Sequence, residues 1–240
     1  MDLNGLPTYG DDRGAHPPLL YPAYRSTQLR APLRPPVLLP QRLTEVTGPL
    51  LGEERVTAAD ADLTTRSGGE PVGQRITLQG QVCDSDGRAV PHTLVEIWQA
   101  NAAGRYAHER DTWPAPLDPH FAGVGRAMTG ADGGYRFTTV RPGAYPWANH
   151  HNAWRPAHIH FSLFGRAFTQ RLVTQMYFPD DPLHAFDPIF SSVPEPSRGR
   201  LVSRFSMDDT QPAWALAYHW DIVLRGQGST PFDEPHEEDT

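Results

Sequence analysis

Ala157-His158-Ile159-His160-Phe161-Ser162-Leu163 is the stretch from which the fold of this chain can be read. Ala157, Ile159, Phe161 and Leu163 take one set of alternate positions, and His158, His160 and Ser162 take the other. A period of two marks a strand with one face turned into a core. Residues two apart on a strand share a face about 6.6 Å apart along the chain, so the two imidazoles can converge on one metal ion. The same pattern also fits two polar residues on a solvated face. A bare His-x-His spacing does not separate these readings.

Outward from this strand, the middle of the chain repeats the theme. Residues 75–83 alternate Ile76, Leu78, Gly80 and Val82 with polar neighbours, then meet the turn-forming run Asp84-Ser85-Asp86-Gly87. Residues 93–100, with Val95, Ile97 and Trp98, suit a well-buried strand. Residues 134–140 follow the turn signal Asp132-Gly133-Gly134, and 171–178 and 216–224 read as two further strands. Helical periodicity of any length is missing, and 197–207 is the stretch where one short helix is expected. Several strands separated by turns predict a mostly β chain built as a β-sandwich, not an α/β fold.

The front of the chain is different. Pro17, Pro18, Pro22, Pro32, Pro35, Pro36 and Pro40 fall between Pro7 and Pro49. Proline lacks a backbone donor and fixes φ, so this region cannot be a continuous helix or a central strand. Leu19, Leu20, Tyr21 and Tyr24 give it more apolar character than a disordered tail carries. We read 1–70 as an extended proline-rich arm lying on a partner surface, 71–226 as the sandwich domain, and 227–240 as an acidic tail.

Composition narrows the function classes. A net charge of −7 speaks against a nucleic-acid partner. No apolar run approaches the roughly 18 residues of a membrane span, and the front lacks the basic-then-apolar pattern of a secretory signal. Cys83 alone can form neither an internal disulfide nor a Cys-based metal site, and a cytoplasmic home is expected. The 21 basic residues are all Arg, from which no function follows.

Ahead of the histidine strand stand Arg141-Pro142-Gly143-Ala144-Tyr145-Pro146-Trp147 and Trp154-Arg155-Pro156. A tyrosine held between a turn and a proline suits a ligand or a substrate clamp, and equally a packing residue. Tyr106 follows a strand end and the turn Asn101-Ala102-Ala103-Gly104. Together with Trp98-Gln99-Ala100-Asn101, Pro116-Leu117-Asp118-Pro119, Thr47-Gly48-Pro49, Thr174-Gln175-Met176-Tyr177-Phe178 and Asp221-Ile222-Val223-Leu224-Arg225-Gly226, these pieces resemble the intradiol ring-cleavage dioxygenases over about 24–226.

That resemblance implies a non-haem Fe(III), one per chain, held by Tyr106, Tyr145, His158 and His160. Hard phenolate oxygens with imidazoles suit ferric iron better than Cu(I) or structural zinc. A trivalent cation can hold as phenolate a group that otherwise titrates near pH 10. The family mechanism implies that Tyr145 is first a ligand and then a base, and that Arg155 stabilises negative charge on the ring. The bland alternative for Arg155 is a surface residue stacked on Trp154. The proline-rich arm fits the two-chain branch that takes protocatechuate and O2, and the full ligand set fits that branch's iron-carrying chain. A homologous α subunit is then the implied partner, in αβ pairs within a larger oligomer. Tyr24 matches a position that reaches the substrate's carboxylate, and Trp147, Gln175 and Ile189 match positions lining the pocket.

Two departures from the family pattern stand out. Ala144 precedes Tyr145 where proline is usual, and proline would restrict the loop's alternatives. The pair His150-His151 is read as solvated, with a second metal site as the alternative. Other functions stay open: a homo-oligomeric dioxygenase for catechol or hydroxyquinol, and a non-catalytic transthyretin-like binding module, because a sandwich does not itself establish chemistry.

Overall fold

A computed structural model describes residues 14–34, 55–147, 154–165 and 168–232. His150-His151 and Thr47-Gly48-Pro49 lie outside the described residues. In chain order the strands are β1 (Arg75–Cys83), β2 (Thr93–Trp98), β3 (Val124–Met128), β4 (Gly134–Val140), β5 (Tyr145–Pro146), β6 (Trp154–Arg155), β7 (His158–Gly165), β8 (Phe168–Tyr177), β9 (Arg204–Gln211), β10 (Ala215–His219) and β11 (Ile222–Val223). Short helices are α1 (Ser26–Arg30), α2 (Pro188–Ser192) and α3 (Glu195–Arg198). No helix among the described residues is long and apolar enough to cross a membrane.

One sheet is built on β1, which pairs antiparallel with β4 on one side and parallel with β10 and then β11 on the other, with β9 beyond β10. The other sheet runs β3-β2-β7-β8. Their apolar faces share one core. Ile76, Leu78, Val82, Tyr135 and Phe137 come from the first sheet; Val95, Ile97, Ile159, Phe161, Leu163 and Met176 come from the second. Phe161 stands at its centre, with the rings of Tyr135, Phe137 and Trp220 packed edge-on to it. The expected β-sandwich is therefore the observed architecture, with β7 in the middle of its sheet.

The run at 216–224 is two short strands along the same edge of β1, because the backbone between them rises over the face of β1 at Trp220. The Trp220 N–H donates to Gln79 O at 2.9 Å, and Tyr135 Oη–H donates to Trp220 O at 2.5 Å. Gly80 is what lets the crossing chain come so close: a Cβ there would sit 1.8 Å from Trp220 O.

The helix expected over 197–207 is instead α3, a 3-10 turn at Gly199–Leu201, and then the start of β9. β9 is exposed on both faces, Met207 included, so it has no alternation to betray it. β3, with Gly125 and Ala127 inward, carried too little apolar mass to be read as a strand. In the front segment, Thr27 Oγ1 sits 2.9 Å from Tyr21 O and 2.7 Å from Tyr24 O, which tightens the turn that leads into α1. Tyr24 is buried there.

Gly80→Ala is expected to lower stability by about 1–3 kcal/mol, the usual range for overpacking. A denaturant midpoint unchanged from the wild type would show that the Trp220 crossing does not depend on this glycine.

Candidate metal centre

With Ile159, Phe161 and Leu163 in the core, His158 and His160 leave the opposite face of β7. Register then decides their neighbours. His160 stands between Trp98 of β2 and Gln175 of β8, and His158 stands opposite Tyr177. Trp98 lies flat against the His160 ring, with centroids 4.8 Å apart and planes 6° from parallel. This face is not solvated: His158 is 1% exposed and Ser162 fully buried.

Two loops bring the tyrosines. Asn101 organises the first: its Oδ1 accepts from the N–H groups of Ala103 and Arg105, and its Nδ2 donates to Pro116 O. Its carbonyl also accepts from Gly104 and Gly143, tying this loop to the one before Tyr145. Gly104 has φ +77°, and a Cβ there would lie 2.4 Å from Ala144 O. Only glycine serves both the left-handed backbone and the close approach. Tyr145 is then held in β5, paired with Arg155 of β6.

The result is a closed ring of four donor atoms. Tyr106 Oη is 3.5 Å from Tyr145 Oη, which is 3.3 Å from His158 Nε2. His158 Nε2 is 3.2 Å from His160 Nε2, which is 3.2 Å from Tyr106 Oη. Donors each about 2.0–2.1 Å from a common cation stand roughly 3.3 Å apart in a tetrahedral arrangement, so the spacing fits one metal ion. His158 Nδ1–H donates to Pro156 O at 2.7 Å, which leaves the Nε2 lone pair facing the ring. Among the described residues no group of three or more His, Cys, Asp and Glu is placed to hold a metal. The cluster is a mixed imidazole and phenol set.

Burial sets the protonation states. It is the main cause pushing the Tyr106 phenol well up and the Tyr145 phenol up, so both stay neutral without a cation. It also pushes His158 well down and His160 down to about 3, with the Arg155 charge adding to each. The imidazoles therefore keep free lone pairs at neutral pH. A trivalent cation would reverse the phenols' preference.

Arg155 is not at the surface. It is 3% exposed, donates from Nε to Asp187 Oδ2 at 3.1 Å and from Nη2 to Tyr177 Oη at 3.1 Å, and also reaches Gln175 Oε1. Its guanidinium lies over the Trp147 ring, 5.4 Å from the centroid. Trp154 instead packs edge-on to Trp113. Trp147 packs against Tyr24, and the Arg30 guanidinium also lies over the Tyr24 ring, 4.9 Å from its centroid.

A cavity of about 1040 Å³ is lined by Tyr24, Tyr106, Tyr145, Trp147, Arg155, His160, Gln175 and Ile189. Every singled-out site residue except His158 thus faces one space. Sequence reasoning missed Asp187 and the part Tyr177 plays. Asp187-Pro188 signals a helix start, but nothing local signals an arginine 32 residues away.

Comparison with known proteins gives the family. A family model described as "Dioxygenase" matches residues 46–226, and one described as "Protocatechuate 3,4-dioxygenase beta subunit N terminal" matches 9–42. The chain belongs to the intradiol dioxygenase family, and membership implies a non-haem iron. More particularly, it is 56% identical to the protocatechuate 3,4-dioxygenase beta chain of Burkholderia cepacia, over 92% of this chain and 95% of that one. It is 32% identical to the alpha chain from the same organism, over 67% of this chain and 77% of the relative. The fold is also that of the 3-chlorocatechol 1,2-dioxygenase of Rhodococcus opacus 1CP, with a TM-score of 0.55 at 21% identity, covering 76% of this chain and 71% of that structure.

Gly104→Ala is expected to leave the sandwich folded while weakening metal binding by about 10-fold or more, as loss of a supporting contact does. Metal content after dialysis against a graded chelator measures this; wild-type retention would show that the two loops need no glycine contact.

Proposed function

We propose that this chain is the iron-carrying, β-type chain of an enzyme that cleaves protocatechuate (3,4-dihydroxybenzoate) with O2. The ring opens between its two hydroxylated carbons to give 3-carboxy-cis,cis-muconate, a step in aromatic degradation by the β-ketoadipate route. The observation that carries the reading is the ring of four donors, at 3.2–3.5 Å edges, opening on a cavity beside the buried Arg155.

Tyr106, Tyr145, His158 and His160 hold one Fe(III). When bound, ferric iron supplies Lewis-acid activation of the catechol oxygens. Tyr145 is the ligand on the short β5 strand and opens on the cavity, so its Oη can take up a catechol hydroxyl proton. Tyr106 and the two imidazoles stay as fixed supports. Arg155 is a permanent positive charge already desolvated, so it stabilises negative charge on the ring without reorganising. Trp147 and Ile189 bracket the aromatic ring, and Gln175 steadies the guanidinium.

The carboxylate of the substrate falls to the Tyr24 side, where Arg30 adds positive charge to the same cavity. This favours a carboxylated catechol over catechol or hydroxyquinol. The similarity to an alpha chain supports a homologous α partner in αβ pairs of a larger oligomer. The exposed Leu19, Leu20, Leu29 and Leu33 of the front segment offer apolar surface for it. The lone Cys83 supports a cytoplasmic setting.

Purified with its α partner and iron-loaded, the protein should show a broad tyrosinate-to-iron visible band that shifts on anaerobic addition of protocatechuate, with O2 uptake when air is admitted. Tyr145→Phe should weaken the band and lower kcat by roughly 10²-fold or more, the scale of a lost general base. A colourless protein that refuses iron, with no response to protocatechuate, would favour a binding module. Faster turnover of catechol than of protocatechuate would favour the homo-oligomeric relatives.

A further inference from the structure

Asp187 is fully buried and carries no obvious task in the chemistry above. Its two carboxylate oxygens do different work. Oδ1 accepts the Ile189 N–H at 3.0 Å and so caps α2, whose Ile189 lines the cavity. Oδ2 accepts from Arg155 Nε at 3.1 Å and from Tyr177 Oη at 3.0 Å. Tyr177 Oη also lies 3.1 Å from Gln175 Oε1, an oxygen that Arg155 Nη2 reaches as well. Four side chains from β6, β8 and the start of α2 therefore close on one another.

A buried guanidinium must be paired to stay in place. Asp187 is the anion in direct contact with Arg155, and through Nε it fixes the plane of the guanidinium, while the cation keeps its face on Trp147. We infer that Asp187 is a positioning residue: it aims Arg155 at the substrate ring and, through the same carboxylate, sets the helix that carries Ile189 against the opposite side of the cavity. This rests on the proposed dioxygenase reading for its catalytic consequence, but the ion pair itself does not.

Asp187→Asn separates the two tasks. Asparagine caps a helix about as well as aspartate, so the Ile189 contact can survive, while an amide group replaces the charged oxygen that Arg155 needs. In the iron-loaded αβ protein, the resting visible band and the anaerobic affinity for protocatechuate should stay within about twofold of the wild type. The value of kcat should fall by roughly 10- to 100-fold, the effect of misplacing a catalytic group by an ångström or so. In an Arg155→Lys background, Asp187→Asn should add little, since both changes remove one interaction. A folded Asp187→Asn protein with wild-type kcat, even if its melting temperature falls, would overturn the proposal. So would losses that multiply in the double variant.

A second measurement needs neither iron nor the Asp187 variant. In the full chain labelled with 15N-arginine and free of iron, the Nε–H signal that disappears in Arg155→Lys should be strongly protected from solvent exchange. Exchange as fast as that of exposed arginines would overturn the pairing. If the wild type takes up no O2 with protocatechuate while this signal is protected, the dioxygenase reading fails and the ion pair stands.

Discussion

The register of β7 is the constraint on which the rest of the site depends. Ile159, Phe161 and Leu163 are fully buried between the sheets, and Phe161 is ringed by Tyr135, Phe137 and Trp220. Slipping the strand by one residue would drive His160 into that aromatic core and expel Phe161, so hydrophobic burial holds the register firmly. Everything on the outer face inherits it. Trp98 and Gln175 flank His160, and Tyr177 stands opposite His158, because β2 and β8 are paired to a strand that cannot slide. A core with no part in the site thereby sets where the two imidazoles stand.

The tyrosines are placed by a different kind of force. Tyr106 and Tyr145 come from loops, where backbone hydrogen bonding and steric permission do what ladder pairing does for the histidines. Asn101 satisfies several backbone N–H groups at once, and Gly104 lets the two loops touch along their main chains. Ala144 lies at this contact, with its carbonyl facing Gly104. Where proline would have stiffened the strand entry, the hydrogen bond from Gly143 N–H to Asn101 O holds the loop instead. The rigid strand and the loop pair meet at the four donor atoms.

How much of this could be read from the sequence follows from the same division. The β7 alternation was legible because one face is purely apolar; β1 was legible from its alternation into a turn, and β4 from the turn signal that precedes it. β9 was not, because exposure on both faces erases the period of two, and the single helix expected near it dissolved into a four-residue α3 and a strand. The four donor residues were singled out through resemblance, and the structure brings them together; spacing alone left His158 and His160 equally compatible with a wet face. Arg155 was legible as a functional candidate, but its neighbours were not. A surface stack on Trp154 had been the alternative, and the chain instead turns Arg155 inward and leaves Trp154 37% exposed. Long-range electrostatic partners such as Asp187 leave no local periodicity to find.

The buried charges explain why such partners are needed. Tyr106, Tyr145, His158 and His160 are each held neutral chiefly by burial, so in the absence of a cation the site opposes the ionised form of all four. The same desolvation strengthens whatever charge interactions do form there. The Arg155 charge, left unpaired, would pull electron density from both imidazoles and make the cage a poorer host for a cation. Pairing with Asp187 offsets that field at longer range while leaving the guanidinium face on Trp147 directed toward the cavity. Under the proposed function, the ion pair thus reconciles two demands on one small volume: a site able to accept a highly charged metal, and a positive group close enough to stabilise an anionic ring. An arginine alone would serve the second demand at the expense of the first, and a neutral residue would serve the first and forfeit the second.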